Sequence, residues 1–509
     1  MNVKDQIKVH AGTIGFAILL VINFLFLRHS SFRFFNFYDM CFDLDGGWRI
    51  LNGQRPHSDF ICFTGPVHLY IYALFFKIFG FGKTAVFACL IAGSSLAMAL
   101  IFWMTRRAIP PGVSLLVTAL TMTSFYWPVS HPWHNQTAML WGISALSLYV
   151  RCMNFLTPKI AVRVAFACGA LITLTFMTKT NEGLIYGALF PALFAFSAYR
   201  RQLLAGYLTG GLISLAAAFI IIGCSPLAFF EQITVYGRQM AGPRLSRLML
   251  ITNWFANYYW IPFTIVLLNV WPFRQKYREL FVLFVGMMLI SVYSLYSSDI
   301  LRQANTFMWG IFMAAAYLIF YKIKGGLTTP RQKRIFRISE WFLAAVCVVL
   351  IALSVKYGFE LKVWTYTGKN PAGTYALKAK PFEGWLFDEP RGKILDQIVD
   401  FINTNIPEKD SILVVTDMQI LYALTGRPSY PGIPIQAFQK DEMPAPGAQL
   451  QQVQKTITAR PPDWIILDIG NLINEVPYLG LSEAMRTRYG LAQSFGPFAI
   501  YQKKTLRSF

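Results

Sequence analysis

Pro66–Gly80 reads PVHLYIYALFFKIFG, and the topology of the whole chain turns on whether this stretch crosses a membrane. It is apolar but short, and it carries His68 and Lys77, whereas a span needs about 20 apolar residues. Eleven longer apolar runs surround it, near 11–27, 84–104, 112–129, 135–153, 160–177, 183–199, 204–222, 257–272, 278–296, 303–321 and 338–355. Basic residues decide the case. If Pro66–Gly80 lies in the membrane interface and the N-terminus is cytoplasmic, Lys4/Lys8, Arg106/Arg107, Arg151/Lys159/Arg163, Arg200/Arg201, Arg274/Lys276/Arg278 and the cluster from Lys322 to Arg337 all fall on the inner side. If it crosses, every cluster after the first moves outside, against the positive-inside bias. The sequence therefore predicts eleven spans and an interfacial helix at Pro66–Gly80.

Composition agrees with that reading. The 509 residues are 55% hydrophobic and 14% charged, which excludes a disordered chain, a nucleic-acid-binding tail or an ordinary cytosolic enzyme. The net charge of +21 sits in short clusters between apolar runs, as membrane proteins mark their cytoplasmic loops. Lys4 and Lys8 precede Ala11–Leu27 with no small-residue cleavage site after it, the pattern of a retained signal anchor. Cys41 and Cys62 share one polar loop and could pair in an oxidising compartment, and no Cys/His spacing typical of a metal site is present.

Past residue 355 the apolar runs stop. Ser411–Asp417 (SILVVTD), Asp463–Asp468 (DWIILD) and Phe498–Gln502 (FAIYQ) read as short strands, and Lys393–Asn403 as an amphipathic helix before the first. The expected fold is thus an α-helical polytopic membrane protein with a small C-terminal α/β soluble domain. Residues 1–355 form the membrane domain, with an outer loop over 28–83, and residues 356–509 form an extracytoplasmic domain, since an odd span count carries the chain outside. No internal repeat is obvious, which argues against a transporter built from paired halves.

Polar chemistry gathers at the outer surface. The first outer loop places Asp39, Asp43, Asp45 and Asp59 within a short stretch, and carboxylates there can act as general bases or hold a divalent cation. The plainer reading is a solvated acidic loop with Asx turns at Asp45-Gly46-Gly47 and Asn52-Gly53. The same side carries His131-Pro132-Trp133-His134-Asn135 and Lys179-Thr180-Asn181-Glu182. Interfacial anchoring explains the Trp and His residues equally well, and a helix-end ion pair explains Lys179/Glu182. Arg238, Arg244, Arg247 and Arg302 add cations to the outer loops.

The order of these residues resembles the C-type (GT-C) multi-span glycosyltransferases, a superfamily that includes protein O-mannosyltransferases and the enzymes adding aminoarabinose to lipid A. After the first span come Asp39, the helix-like Leu44–Leu51, then Asn52-Gly53-Gln54-Arg55-Pro56-His57-Ser58-Asp59-Phe60, then Gly65-Pro66 and an apolar helix ending Ile78-Phe79-Gly80. In the tail, Leu421-Tyr422-Ala423-Leu424-Thr425-Gly426-Arg427-Pro428 is similar to a stretch in bacterial members with a periplasmic C-terminal domain. Two departures stand out. Phe63-Thr64-Gly65-Pro66 lacks the Lys that many relatives carry before the Pro-Pro, and the family's Asp-Glu pair is Asp39-Met40 here.

The resemblance implies a polyprenyl-phosphate sugar as donor, a glycan, lipid or protein as acceptor, the bilayer as third partner, and no nucleic acid. It implies a bacterial inner membrane location. Asp39 is the implied base and Asp59 a second acid, with Asp43 and Asp45 as alternatives to Asp39. Lys179, Arg238, Arg244 and Arg302 are phosphate-holding candidates, and His131 and His134 candidates for the donor phosphate or sugar. No cofactor is firmly implied. Asp43-Leu44-Asp45 matches the Asp-x-Asp spacing some glycosyltransferases use for a metal, a short pattern frequent by chance. The other functions weighed are a polysaccharide ligase or polymerase, a transporter, and a non-catalytic membrane scaffold.

Overall fold

The computed structural model describes residues 3–33, 35, 37–62, 64–127, 130–234, 260–297, 308–360, 373–415, 417–433, 448–469 and 482–504. Each of the eleven apolar runs is helical over most of its described part. The helices are α1 (Val3–Ser30), α4 (Lys83–Thr105), α5 (Pro111–Phe125), α6 (His134–Cys152), α7 (Pro158–Thr178), α8 (Thr180–Phe194), α9 (Arg200–Ile222), α10 (Trp260–Val270), α11 (Arg278–Ser297), α12 (Trp309–Lys324) and α13 (Pro330–Glu360). Among the described residues, five helices are long and apolar enough to cross a bilayer by length and composition, within α1, α4, α7, α9 and α13. Their outward faces are bare of polar cover: Ile220 on α9 is 80% exposed and Trp341 on α13 is 74% exposed. Apolar surface on that scale is stable only against lipid or a partner. This is an integral membrane protein.

The described residues divide into two compact units. The first comprises Met1–Ser31, Leu90–Ala218 and Ser246–Asn370. Its helices meet through small residues. On α9, Gly206 and Gly210 lie one turn apart and face α7, where an added Cβ would stand 2.5 Å from the Val162 carbonyl oxygen and 2.1 Å from that of Phe166. Lipid supplies no hydrophobic drive between helices, so close backbone approach of this kind provides the attraction. Buried polar groups find partners across the unit: Asn23 Oδ1 accepts from Ser94 Oγ and from Trp127 Nε1, each at 3.1 Å.

The second unit comprises Phe32–Cys89, Phe219–Leu245 and Pro371–Phe509, so the first outer loop packs with the tail. The tail holds a four-stranded sheet in the order β3 (Ile412–Val415), β4 (Trp464–Asp468), β6 (Phe498–Lys503), β5 (Tyr489–Phe495). β3 and β4 run parallel, with Ile412 opposite Trp464, and β6 runs antiparallel to both β4 and β5. A two-residue pair, β1 (Tyr375–Ala376) with β2 (Leu386–Phe387), stands apart from it. Helix α14 (Glu389–Asn405) sends Leu395, Ile398 and Ile402 into the core, as its apolar periodicity requires. The α/β character, the strands at 412–415, 464–468 and 498–503, and this helix match the sequence reading. β5 escaped it because Tyr489–Phe495 (YGLAQSF) is a half-polar edge strand that forms through pairing in a hairpin.

The first loop folds as two short helices, α2 (Phe37–Leu51) and α3 (Val67–Phe79). At 1.5 Å per residue, α3 is about 20 Å long, too short for a hydrocarbon core of about 30 Å. Chain connectivity gives the same answer. Ser58 Oγ donates to the Gly223 carbonyl at 3.3 Å, and the His57 ring bonds Gln232 at 2.8 Å. The loop before α3 and the segment after α9 therefore share one side of the membrane. The six helices α4–α9 return the chain to that side if each crosses once; a crossing by α3 would break the parity.

Candidate active site

Glycine pairing sets the crossing of α2 on α3. An added Cβ on Gly46 would stand 2.6 Å from Leu69, and one on Gly47 would stand 2.8 Å from Tyr72 and Phe76. That close approach brings Asp43 of α2 to His68 of α3, with His68 Nε2 at 3.2 Å from Asp43 Oδ2 and both side chains fully buried. Burial pushes the Asp43 carboxyl up, and the His68 charge and hydrogen bond pull against it.

Two residues on, Asp45 points elsewhere. Arg49 Nε donates to Asp45 Oδ2 at 2.7 Å, and Ser429 Oγ of the tail donates to Asp45 Oδ1 at 2.6 Å. Burial raises this carboxyl as well, against the Arg49 charge and the bonds from Arg49 and Ser429. Positions i and i+2 of a helix lie about 200° apart. Asp43-Leu44-Asp45 thus turns its two acids to different faces and does not present them as a pair.

Asp59 stands at a tight turn. Its Oδ2 accepts from the Arg55 backbone N–H at 2.8 Å and from Arg55 Nε at 3.1 Å. Burial raises its pKa, but the bonds and charge from Arg55 outweigh that, and Asp59 lies below the ordinary carboxylate value. His57, inside the same turn, has φ of 63°, a backbone state rare for a non-glycine residue. Gln232 holds it there: Gln232 Nε2 donates to the His57 carbonyl at 3.2 Å, and Gln232 Oε1 accepts from the His57 ring at 2.8 Å and from the Cys62 backbone N–H at 3.1 Å. Burial lowers the His57 pKa to about 4, though its bonds to Gln232 and Thr64 act the other way.

Asp39 belongs to the first turn of α2, and its side chain lies outside the described residues. Arg238, Arg244 and Arg302 also lie outside them. Cys41 and Cys62 are buried free thiols, so the disulfide allowed by the sequence is not formed. Burial pushes Cys62 up to about 12 and raises Cys41 too, which leaves both as protonated hydrophobes.

The remaining candidates belong to the first unit. His131 is buried, and His134 opens α6 with its ring edge-on to Trp133 at 5.3 Å. Gln136, one turn into α6, donates to the Phe125 carbonyl at the end of α5 at 2.6 Å. Lys179 is the half-buried hinge between α7 and α8, its N–H bonded to Thr175 O at 2.8 Å and its carbonyl accepting from Gly183 N at 3.0 Å. Glu182 is fully buried in the first turn of α8, where the helix dipole favours a negative charge.

Sequence reasoning missed the partners rather than the acids. Arg49 is four residues past Asp45 on a helix, a spacing that signals a pair. Nothing local joins Asp43 to His68, Asp45 to Ser429 or His57 to Gln232, because the partners are separated by a loop, by 384 residues and by 175 residues.

Comparison with known proteins places this architecture. The sequence model for the family described as dolichyl-phosphate-mannose-protein mannosyltransferase matches residues 63–229. No curated protein matches the chain by sequence. ArnT from Cupriavidus metallidurans bound to undecaprenyl phosphate aligns with 97% of this chain and 98% of its own, at 11% identity and a TM-score of 0.52. The chain shares the fold of ArnT. ArnT in the apo state aligns with this fold over 96% of the chain and 97% of its own, again at 11% identity and a TM-score of 0.52. The archaeal oligosaccharyltransferase AglB from Archaeoglobus fulgidus, in complex with an inhibitory peptide and a dolichol-phosphate, covers 97% of this chain and 74% of its own at 12% identity, with a TM-score of 0.47.

Proposed function

We propose that this protein is a glycosyltransferase that moves a sugar from a polyprenyl-phosphate donor to an acceptor hydroxyl at the outer face of a membrane. The observation that carries the reading is the end-to-end fold correspondence with ArnT, whose structure holds undecaprenyl phosphate. The match of residues 63–229 to a family described by its lipid-phosphate mannose donor supports the same donor class.

Asp39 is the base in this reading. Asp43 and Asp45 are enclosed and engaged with His68, Arg49 and Ser429, so an acceptor hydroxyl would have to displace an existing partner. Asp59 is held below the usual range by Arg55, which makes it a weak proton acceptor, suited to orienting an acceptor or sugar. The hydroxyl oxygen attacks the anomeric carbon while Asp39 takes its proton. The bond from that carbon to the phosphate oxygen breaks, and polyprenyl phosphate leaves with the electron pair, giving inversion. The leaving group is already an anion stabilised over its oxygens and needs no general acid. Cations near it offset the developing charge. Thr64 replaces the family's lysine, so that role falls to Lys179, Arg238, Arg244 or Arg302, with His131 and His134 bonding phosphate or sugar. The reaction as written requires no metal. The protein sits in a bacterial inner membrane with its N-terminus cytoplasmic and the region after residue 355 outside.

The test is sugar transfer in proteoliposomes from radiolabelled polyprenyl-phosphate sugars to acceptors in a crude membrane extract. Asp39→Asn is expected to lower the rate by about 10²–10⁴ at unchanged protein abundance. Transfer that persists in Asp39→Asn sinks the base assignment, and a wild type that consumes no donor sinks the enzyme reading in favour of a scaffold.

A further inference from the structure

The tail does more than sit beside the first loop; it is fastened to the helix that carries Asp39. The segment Arg427–Tyr430 meets the second half of α2 through a run of enclosed polar bonds. Trp48 Nε1 donates to Arg427 O at 2.8 Å, Ser429 Oγ to Asp45 at 2.6 Å, and Arg49 Nη1 to Tyr430 O at 2.9 Å. Gln54, just past the end of α2, closes the ring by donating to Ser429 O at 2.6 Å and accepting from Arg49 Nη1 at 3.1 Å. Asp45, Arg49 and Ser429 are each at most 1% exposed.

The tail segment is itself rigid. Gly426 adopts φ of 68° after the helical turn Leu421–Leu424, and the Arg427 guanidinium donates to the carbonyls of Ile406 at 2.5 Å and Pro407 at 2.7 Å. The approach to α2 is also sewn to the tail. Leu386 N–H bonds Phe32 O at 2.8 Å and Gly373 N–H bonds Arg33 O at 2.9 Å, while the Phe35 ring stacks on Phe387 at 4.5 Å. Both ends of α2 are therefore held by the region after residue 371, and its middle by α3.

We infer that the tail segment Arg427–Tyr430 is a positioning device for the outer-loop helix, with Ser429, Arg49 and Asp45 as positioning residues that hold Asp39 at its working place. This rests on the glycosyltransferase reading above. The charged pair supplies direction, since a guanidinium and a carboxylate bond in a fixed relative geometry. Buried polar networks of this kind fix one arrangement because each alternative leaves a group unsatisfied. The role assigned to the tail is orientation of the base, and not capture of the acceptor.

The experiment pairs kinetics with hydrogen exchange on the full-length protein in nanodiscs, comparing wild type with Ser429→Ala and, as a second probe that keeps the aromatic ring, Trp48→Phe. Ser429→Ala removes a hydrogen-bond donor at little change in volume, whereas Trp48→Phe removes one together with part of the indole, so an effect shared by both reports the lost bonds. We expect kcat to fall on the order of tenfold, since small misplacement of a reacting group is expensive. The donor KM should stay within roughly twofold, because the interaction serves the reacting geometry and not donor binding. Amides of residues 37–51 should exchange faster in both variants. A kcat at the wild-type value, unchanged exchange over 37–51, or a rise in acceptor KM with kcat intact overturns the inference while leaving the enzyme reading in place. A wild type that transfers no sugar removes the enzyme reading and the positioning role with it, and faster exchange would then show only a structural fastening.

Discussion

Two helix pairs in this protein both cross at glycines, and they differ in what else holds them. α7 and α9 meet at Gly206 and Gly210, backbone against backbone, where nothing wider than a hydrogen atom fits. α2 adds to its glycine contact a buried Asp43–His68 contact with α3 and hydrogen bonds from the tail to its own buried Asp45–Arg49 pair. The first pair lies among the candidate spans and the second in the unit that carries the sheet. In lipid the surroundings are as apolar as the helices, so attraction has to come from close contact. In the tail unit the apolar core already supplies cohesion, with Trp385, Phe382 and Phe387 buried around Phe35. Polar bonds there decide which arrangement is adopted more than whether the unit holds together.

The contrast can be broken at its polar end first. Asp45→Ala leaves Arg49 buried beside a missing partner, and loss of one member of a buried pair costs about 3–5 kcal/mol. Thermal denaturation in detergent should show it as a large drop in midpoint; a loss below about 1 kcal/mol, the range of surface pairs, would show the network to be wet.

Next is pH. The folded His57 pKa of about 4 lies below the ordinary value of 6.5, so the unfolded chain binds the proton first as pH falls. The contribution is complete above about pH 6.5, declines as pH falls toward 4 and is gone below it. It amounts to roughly 3 kcal/mol at 1.36 kcal/mol per pKa unit. Melting curves between pH 7.5 and 4.5 should fall more steeply for wild type than for His57→Asn, a residue that tolerates the same backbone state. Parallel curves would remove His57 from the account.

The membrane end comes third. Gly210→Ala places a methyl 2.1 Å from the Phe166 carbonyl, and overpacking typically costs about 1–3 kcal/mol. Folded yield in detergent reports it, and an unchanged yield would mean that α7 and α9 separate freely. The smallest effect belongs to the exposed pair Lys393–Glu389 on α14, where Lys393→Ala should cost about 0.3–0.5 kcal/mol in a urea titration. A larger loss there would show that surface charge matters more to the tail than the buried network.

Much of this was readable beforehand, unevenly. Hydropathy placed the long apolar helices near their observed positions, five of them long and apolar enough to cross a bilayer among the described residues, and Pro66–Gly80 forms a helix of 13 residues, Val67–Phe79. Three strands and one helix of the tail followed from β-branched runs and periodicity. The acidic loop was found, yet the roles of its acids were open, since Asp39, Asp43, Asp45 and Asp59 look alike in sequence. Chain proximity assigned residues 28–83 to the membrane domain, whereas packing gathers Phe32–Cys89 with the tail.

What the sequence determined by itself are the properties of local stretches: where long apolar helices form and where the apolar runs give way to short strands. Each is fixed by transfer free energies that add residue by residue along the chain. What only the tertiary structure decided is which acid meets which base. Asp43 meets His68 because two helices cross at Gly46 and Gly47, Asp45 meets Ser429 from 384 residues away, and His57 meets Gln232 from 175 residues away. A charge carries no address in sequence; its pKa and its role are set by the few ångströms around it.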